Sequence, residues 1–216
     1  MALLRSRKKE NTTSDKITSA TIITSCMEVT GNLQGSDTVH IDGKVTGDIT
    51  VSNALVIGKS GVVIGNVKAK NAIINGELEG SITCETLEVM QTGKLSKDVH
   101  ADTMILDGTV SGVIVGIKSI EVQPNGQLNV EKIESKNITV NGSVKGKVVA
   151  SELLDIGSTG SVEGEIAVKN IKTAEGGKMI GTMATYETPK EMPPIPTKEP
   201  LLQKKEDEKD DFFEEK

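Results

Sequence analysis

The chain has 216 residues and a formal net charge of −6, with 25 lysines and arginines against 31 aspartates and glutamates. This acidic balance argues against a nucleic-acid-binding protein, and the longest apolar run is too short for a transmembrane helix. The two cysteines, Cys26 and Cys84, accompany no export signal. We therefore expect both thiols to be reduced and the protein to be cytoplasmic.

Residues 1–19 form a basic N-terminal segment that is predicted to be disordered and to bind the membrane. Its first nine residues join a few apolar residues to four cations, and the candidate membrane-binding residues are Met1, Leu3, Leu4, Arg5, Arg7, Lys8 and Lys9. Anionic lipid attracts each basic residue by about 1 kcal/mol near its surface. One copy would bind weakly, whereas many copies on one assembly would bind firmly. The alternative is an ordinary disordered leader without a function.

Residues 20–185 are predicted to form one repetitive domain. A pattern of glycine, any residue, aliphatic residue, any residue and usually a second glycine first appears in IDGKVTGDI, residues 41–49. Its nine starts, spaced 15 to 18 residues apart, are Gly43, Gly61, Gly76, Gly93, Gly108, Gly126, Gly142, Gly160 and Gly177. The second glycine is replaced twice, by Lys97 and by Val130. Short and long connections alternate before the successive starts.

The repeat predicts an all-β fold, a single-stranded right-handed parallel β-helix with about 17 residues per coil. The unit is too short for helical or propeller repeats, and its apolar residues recur at every second position. At about 4.8 Å per coil, roughly 10 coils would make a rod of about 45–50 Å. Aliphatic residues of one parity should fill the core: Val45, Ile49, Leu78, Ile82, Val110 and Val144. Their neighbours Lys44, Glu77, Thr109 and Ser143 should lie outside.

Two residue types mark the predicted corners of the coil. The glycines inside the alternating segments should lie where the chain bends around a slim core or where two backbones approach closely. Asparagine recurs at another corner, at Asn53, Asn71, Asn137 and Asn170. Since asparagine tolerates positive φ, we expect it to adopt that conformation there.

Residues 186–216 are predicted to form a disordered, proline-rich and acidic tail. The stretch 187–200 contains five of the six prolines and shows no alternation. Phe212 and Phe213 interrupt the acidic run that follows. A partner could dock on these two rings, although a solvated tail is the simpler interpretation.

The sequence offers no candidate catalytic, cofactor-binding or metal-binding residues. Its two histidines, His40 and His100, occupy positions that should face outward, and no cysteines or histidines have zinc-ligand spacing. No phosphate-binding glycine loop opens a helix. We therefore expect a protein that is not an enzyme and that binds no nucleotide or other cofactor. The enzyme alternative is an acyltransferase on a β-helix, with a histidine acting as base.

The sequence resembles the bactofilins, bacterial polymer-forming cytoskeletal proteins. The resemblance begins in TIITSCMEVTGNLQGSDTVHIDGKVTGDI, residues 21–49, and continues through VIGKSGVVIGNVKA and INGELEGSI, residues 56–69 and 74–82. It implies a β-helix with disordered tails that joins end to end into non-polar filaments without nucleotide. It also implies filaments that line the inner face of the cytoplasmic membrane and scaffold cell-wall or cell-shape proteins. The rod predicted here is longer than the usual family domain, and it lacks the phenylalanine often found in the terminal coil.

Polymerisation is also expected on physical grounds. A β-helix ends in a coil with an uncovered apolar core and unpaired backbone groups, and the sequence shows no obvious cap. The candidate polymer interface comprises Ile22, Ile23, Val29 and Leu33 in the first coil and Met179, Ile180 and Met183 in the last. Two alternatives are a monomer whose ends are covered by its tails and a soluble binding module for a protein or glycan.

Overall fold

The computed structural model describes residues 20–184. The predicted membrane-binding segment, residues 1–19, and the predicted tail, residues 186–216, lie outside the described residues. Within the described range the chain forms 20 β-strands and no helix. The strands of the first half are β1 Ala20–Ile23, β2 Glu28–Thr30, β3 Leu33–Gly35, β4 Thr38–Ile41, β5 Lys44–Thr46, β6 Ile49–Val51, β7 Ala54–Ile57, β8 Val62–Ile64, β9 Val67–Lys68, β10 Asn71–Ile74, β11 Glu77–Glu79 and β12 Ile82–Val89. Those of the second half are β13 Lys94–Ser96, β14 Val99–Leu106, β15 Thr109–Val122, β16 Gln127–Val140, β17 Ser143–Ile156, β18 Ser161–Val168, β19 Ile171–Thr173 and β20 Lys178–Ala184.

The strands form a parallel β-solenoid of about ten coils with about 17 residues per coil, as predicted. A coil contains three strand segments, for example β4, β5 and β6, and each segment pairs with its equivalents in the coils before and after it. All strand pairs of the described range are parallel. The right-handed winding stays a prediction.

Equivalent residues of successive coils stack into columns that run along the rod. One core column contains Val29, Val45, Val63, Leu78, Leu95, Val110, Leu128, Val144, Val162 and Met179. A second contains Leu33, Ile49, Val67, Ile82, Val99, Ile114, Ile133, Val148, Ile166 and Met183. Away from the ends, every member of both columns is at most 3% exposed. The six predicted core residues are therefore confirmed, and their neighbours lie outside, exposed or half-buried.

The corner glycines permit the close stacking of coils. A Cβ atom on Gly43 would collide with the backbone oxygen of Met27 in the coil before it. Gly47 has a φ of 146°, and a Cβ there would collide with the carbonyl oxygen of Gly31. This confirms that the glycines of the alternating segments mark close backbone approach.

Two coils accommodate a side chain at the second glycine position in different ways. Lys97 keeps the left-handed backbone, with a φ of 107°, a conformation that costs energy for a residue with a Cβ. Val130 has an ordinary φ, and the strand register shifts beside it, so that Gly112 pairs with Val130 whereas Val113 pairs with Lys132. The extra residue, Glu131, forms a β-bulge that avoids the strain.

The expected conformation of the corner asparagines is wrong. Among non-glycine residues of the described range, only Lys97 has positive φ. The asparagines act through hydrogen bonds instead: the Asn170 side chain donates to the carbonyl oxygen of Glu152 at 2.9 Å, and the carbonyl oxygen of Asn53 accepts from two backbone N–H groups of the next coil.

Short and long turns alternate along a third corner, as the spacing of the repeats predicts. The long turns close with backbone hydrogen bonds such as Gly93 N to Met90 O at 2.8 Å and Gly126 N to Gln123 O at 2.9 Å. Each short turn carries an aspartate or asparagine that contacts the next long turn, as in the 3.1 Å hydrogen bond from Asn125 to Asp107. The last two turns, 157–160 and 174–177, are both long.

Candidate polymer interface at the ends of the rod

The two ends of the described rod leave apolar core columns uncovered. At the C-terminal end, Met179 is 40% exposed and Met183 is 64% exposed, whereas Val162 and Ile166 directly beneath them are at most 1% exposed. The two methionines continue the core columns but have no coil above them within residues 20–184. Their exposed side chains therefore belong to the end of the apolar core rather than to an ordinary protein surface.

The N-terminal end is uncovered in the same way but less completely. Val29 and Leu33 begin the same two core columns and are half-buried. Ile23 begins a third column, in register with Ile41, and is 5% exposed. Both ends therefore present aliphatic or thioether side chains at the ends of the same two core columns.

Two of the predicted interface residues occupy outward-facing columns. Ile22 is in register with His40, and Ile180 is in register with Glu163, both of which face away from the core. Their exposed fractions, 61% and 59%, are therefore those of side chains at the rim of an end. The sequence pattern already indicates that Ile180 faces outward, because it follows Gly177 by three residues and an odd separation from that glycine places a side chain on the outside of the coil.

The backbone of each terminal coil also lacks a strand partner on one side within the described chain. Strands β1, β2 and β3 pair only with the second coil, and β19 and β20 pair only with the coil before them. Such edges present unpaired N–H and C=O groups, which favours pairing with another strand.

Charged residues on the terminal coils are a further part of the site that the sequence pattern had not indicated. Glu28 and Lys178 occupy the same outward column at opposite ends of the rod. Glu28 already forms an ion pair with Lys44 of the second coil, at 2.8 Å. The sequence feature that could have identified these two residues is their shared position in the repeat, directly before the aliphatic core residue.

The rest of the described surface shows no constellation suited to catalysis. Residues 20–184 contain no cluster of three or more potential metal ligands and no helix long and apolar enough to cross a membrane. His40 contacts Asp42 at 3.0 Å on the surface. Burial, with a smaller contribution from the charge of Asp102, raises the pKa of the Cys84 thiol to about 12, so this thiol is a poor nucleophile.

Fold and site together define a class of protein: an elongated β-solenoid whose apolar core columns are uncovered at both ends of the described range, residues 20–184. The family model described as "Bactofilin: Polymer-forming cytoskeletal" matches the chain twice, over residues 21–107 and 101–184. Together the two matches cover the whole solenoid, which explains why the rod is longer than a single family domain. No solved structure gives a significant match.

Curated relatives agree with the family match. Bactofilin BacP of Myxococcus xanthus (strain DK1622) is 33% identical over 87 residues, which is 40% of this chain and 36% of BacP. Bactofilin BacO of the same organism is 30% identical over 91 residues, which is 42% of this chain and 69% of BacO. The matched part of the chain thus spans little more than a third of the length of BacP.

The chain belongs to the bactofilin family, whose model is described as polymer-forming and cytoskeletal. The family is structural rather than enzymatic, in agreement with the expectation drawn from the sequence.

Proposed function

We propose that this protein assembles end to end, through its two terminal coils, into filaments that need no nucleotide. The observation that carries the proposal is the exposure of Met179 and Met183 at the top of columns that are otherwise buried. Covering these side chains with a second rod would remove apolar surface from water, which is the main favourable term in association. The contact would be apolar and backbone-mediated, so it would require neither ATP or GTP nor a metal ion.

The proposal is tested by placing a charge in each end. Met183→Arg and Val29→Arg would each trap an unpaired guanidinium between two apolar ends, at a cost of about 3–5 kcal/mol per junction. We expect both variants to keep the β-sheet signal in circular dichroism and to lose filaments in negative-stain microscopy. The unmodified chain should form filaments in the presence of EDTA and without nucleotide.

A matched control comes from the same rod. Ile64 is 36% exposed in the middle of the outward column that ends at Ile180. Ile64→Arg adds the same charge away from the ends and should leave the filaments intact. Full-length filaments from both end variants would show that the rods associate through their sides. A discrete oligomer of the unmodified chain would favour the soluble binding module.

We also propose that the filament lies on the inner face of the cytoplasmic membrane through its N-terminal segment. The support is the sequence of residues 1–9, in which apolar residues precede Arg5, Arg7, Lys8 and Lys9. Deletion of residues 2–9 should abolish co-sedimentation with anionic vesicles while filaments persist. Neutral vesicles serve as the control, because they lack the electrostatic attraction. Undiminished co-sedimentation of the deletion variant would contradict the proposal.

The membrane-bound filament is proposed to scaffold proteins that build or remodel the cell envelope and so to influence cell shape. This part rests on the family resemblance. Cells that produce the Val29→Arg chain, which should be folded but unable to polymerise, would then lose localised wall synthesis. If wall synthesis stayed localised in those cells, envelope organisation would not depend on polymerisation.

A further inference from the structure

We propose that a notch on the side of the rod binds a proline-rich segment of the chain's own C-terminal tail, residues 192–196. The notch lies at the corner that follows the second core column, beside strands β15, β16 and β17. Its volume is about 260 Å³, and its lining includes Val115, Ile117, Ser135, Lys136, Val149 and Ser151. The inference goes beyond end-to-end assembly, because this surface belongs to neither terminal coil.

Unequal corners in three successive coils create the notch. The corner contains residues 117–119 in the first of these coils and residues 151–153 in the third. In the coil between them it contains only residues 136 and 137, and the strand register shifts at both steps. The short corner is therefore flanked by two longer ones, which leaves an indentation in the edge of the rod.

A buried hydroxyl group without a partner lines the notch. Ser135 is 4% exposed, and its Oγ forms no hydrogen bond with any described residue. It lies in an inward column of small residues, with Ala150 in register on one side and, on the other, Gly116, whose Cβ would lie 3.1 Å from the hydroxyl oxygen. An unpaired buried hydroxyl is costly. The notch therefore favours an occupant that forms a hydrogen bond with Ser135.

The surface around the notch is apolar. In the outward column that runs past it, earlier coils carry polar residues such as Thr83 and His100. Four of the last five coils instead carry Val115, Val149, Ala167 and Ala184. Ile117, at the rim, is 58% exposed. Together these side chains fit an occupant that is mainly apolar.

The described chain ends beside this corner. Ala184 is the last member of the same outward column and lies two coils beyond Val149. Two coils span about 9.6 Å, and the sequence MPPIP begins at Met192, eight residues after Ala184. Eight extended residues span up to about 26 Å. The segment can therefore reach the notch, and its attachment to the rod raises its effective concentration there.

The spacing of the segment matches that of the coils. A polyproline II helix has three residues per turn and rises about 3.1 Å per residue. It would place Met192 and Ile195 on one face, about 9.3 Å apart. Val149 and Val115 are two coils apart, which is about 9.6 Å. Met192 would thus pack on Val149 and Ile195 on Val115.

The two prolines between these side chains suit the unpaired hydroxyl. Pro193 and Pro194 have no N–H group and present only carbonyl oxygens, to which the Ser135 hydroxyl would donate. A proline-rich segment also loses little entropy on docking, because its conformation is preformed. The N-terminal segment, residues 1–19, is a poorer occupant, since it contains no proline and precedes the first coil, far from the notch.

Disulfide trapping in the full chain tests the docking. In a Cys26→Ser background, Glu191→Cys is combined either with Ser151→Cys at the notch or with Lys145→Cys. Lys145 is the matched control, because it lies in the same strand, is exposed and does not line the notch. Cys84 is retained, because burial raises the pKa of its thiol to about 12. On mild oxidation, the notch pair should form a crosslinked monomer about 10-fold faster than the control pair.

Variants of the segment and of the hydroxyl identify the contacts. Met192→Ser with Ile195→Ser should abolish the preference for the notch. Ser135→Ala should slow the notch crosslink about 2- to 10-fold, the size expected for one hydrogen bond, and leave the control rate unchanged. Equal rates for the two pairs, or a notch rate that survives the loss of Met192 and Ile195, would show a notch filled by water only and overturn the proposal. Crosslinked dimers in place of monomers would overturn docking within one chain.

Fluorescence gives a second, independent measurement. The chain contains no tryptophan, so Ile117→Trp places a single indole at the rim of the notch. The docked segment should shield this indole from acrylamide, and Met192→Ser with Ile195→Ser should remove the shielding. Equal quenching in the two chains would contradict docking. Neither measurement requires filaments, so a failure of the proposed assembly would leave this inference standing.

Discussion

Replacing Val110 with aspartate should unfold the middle of the rod. Val110 is fully buried and lies between Leu95 and Leu128 in a core column, both of them at most 2% exposed. Loss of the buried valine costs about 1.5–3 kcal/mol, and an unpaired carboxylate in an apolar column costs several kcal/mol more. The sum, about 5 kcal/mol or more, approaches the whole stability of an ordinary domain, which is about 5–15 kcal/mol.

The adjacent residue provides the control. Thr109 is exposed and pairs in register with Lys94 on one side and Gln127 on the other. Thr109→Asp places a carboxylate in solvent beside a lysine, so the free energy of unfolding should change by no more than about 0.5 kcal/mol. Equal loss of stability from Val110→Asp and Thr109→Asp would refute the assignment of inward and outward parity.

The measurement is urea unfolding followed by far-ultraviolet circular dichroism, in the Val29→Arg and Met183→Arg background, so that assembly does not contribute to stability. Val110→Asn measures the free-energy cost of burying a polar, uncharged side chain, so its comparison with Val110→Asp gives the additional cost of the charge. Burial raises the pKa of a carboxyl group in the folded state above its unfolded value of about 3.9. The difference between the aspartate and asparagine variants should therefore vanish below the unfolded pKa and grow as the pH rises through the folded pKa.

Four further outcomes test the backbone and the thiols. Lys97→Gly should stabilise the rod by about 1 kcal/mol in the same urea assay, since it relieves a positive φ; an unchanged midpoint would show that the strain is negligible. Cys26, which is exposed, should react with a thiol reagent at pH 8, whereas Cys84 should react only after unfolding; equal native reactivity would contradict its burial. Between about pH 9 and 12 the unfolded thiol of Cys84 ionises and the folded one does not, so stability should fall as pH rises through that window. Gly146→Ala should lower the free energy of unfolding more than Gly31→Ala, because both glycines have positive φ but a Cβ on Gly146 would also collide with the carbonyl oxygen of Val130, whereas one on Gly31 meets no atom within 4 Å among the described residues; equal losses would contradict the close stacking at Gly146.

Which residues point into the core could be predicted because the same alternation of apolar and polar residues recurs in many repeats. Val45, Leu78 and Val144 stand at the same distance after successive glycines, and each is at most 1% exposed. A parallel stack also requires every coil to repeat the same inward and outward order. Alternation and spacing were therefore sufficient to predict both the fold and the interior.

Local propensity was not sufficient at the corners. Asparagine tolerates positive φ, but Asn53 and Asn170 do not adopt it and serve as hydrogen-bonding residues between coils instead. At Val130 the loss of glycine could be read from the sequence. The compensating bulge at Glu131 depends on the coils above and below and could not.

The ends were predictable in part. The repeat identified Val29, Leu33, Met179 and Met183 as the first and last members of core columns. It did not single out Glu28 and Lys178, because lysines and glutamates also precede other core residues, such as Val45 and Leu78. The register through the coils shows that Glu28 and Lys178 share one outward column.

The spacing between coils is constant along the rod, so the number of coils fixes the length that each subunit occupies along the filament axis. Ten coils at about 4.8 Å each give a repeat of about 48 Å along the axis. In an end-to-end filament the junctions between subunits would recur at this interval. Partners that bind at the junctions would then be spaced at the same fixed interval. Removing two coils from the gene would shorten the interval by about 10 Å without altering either end.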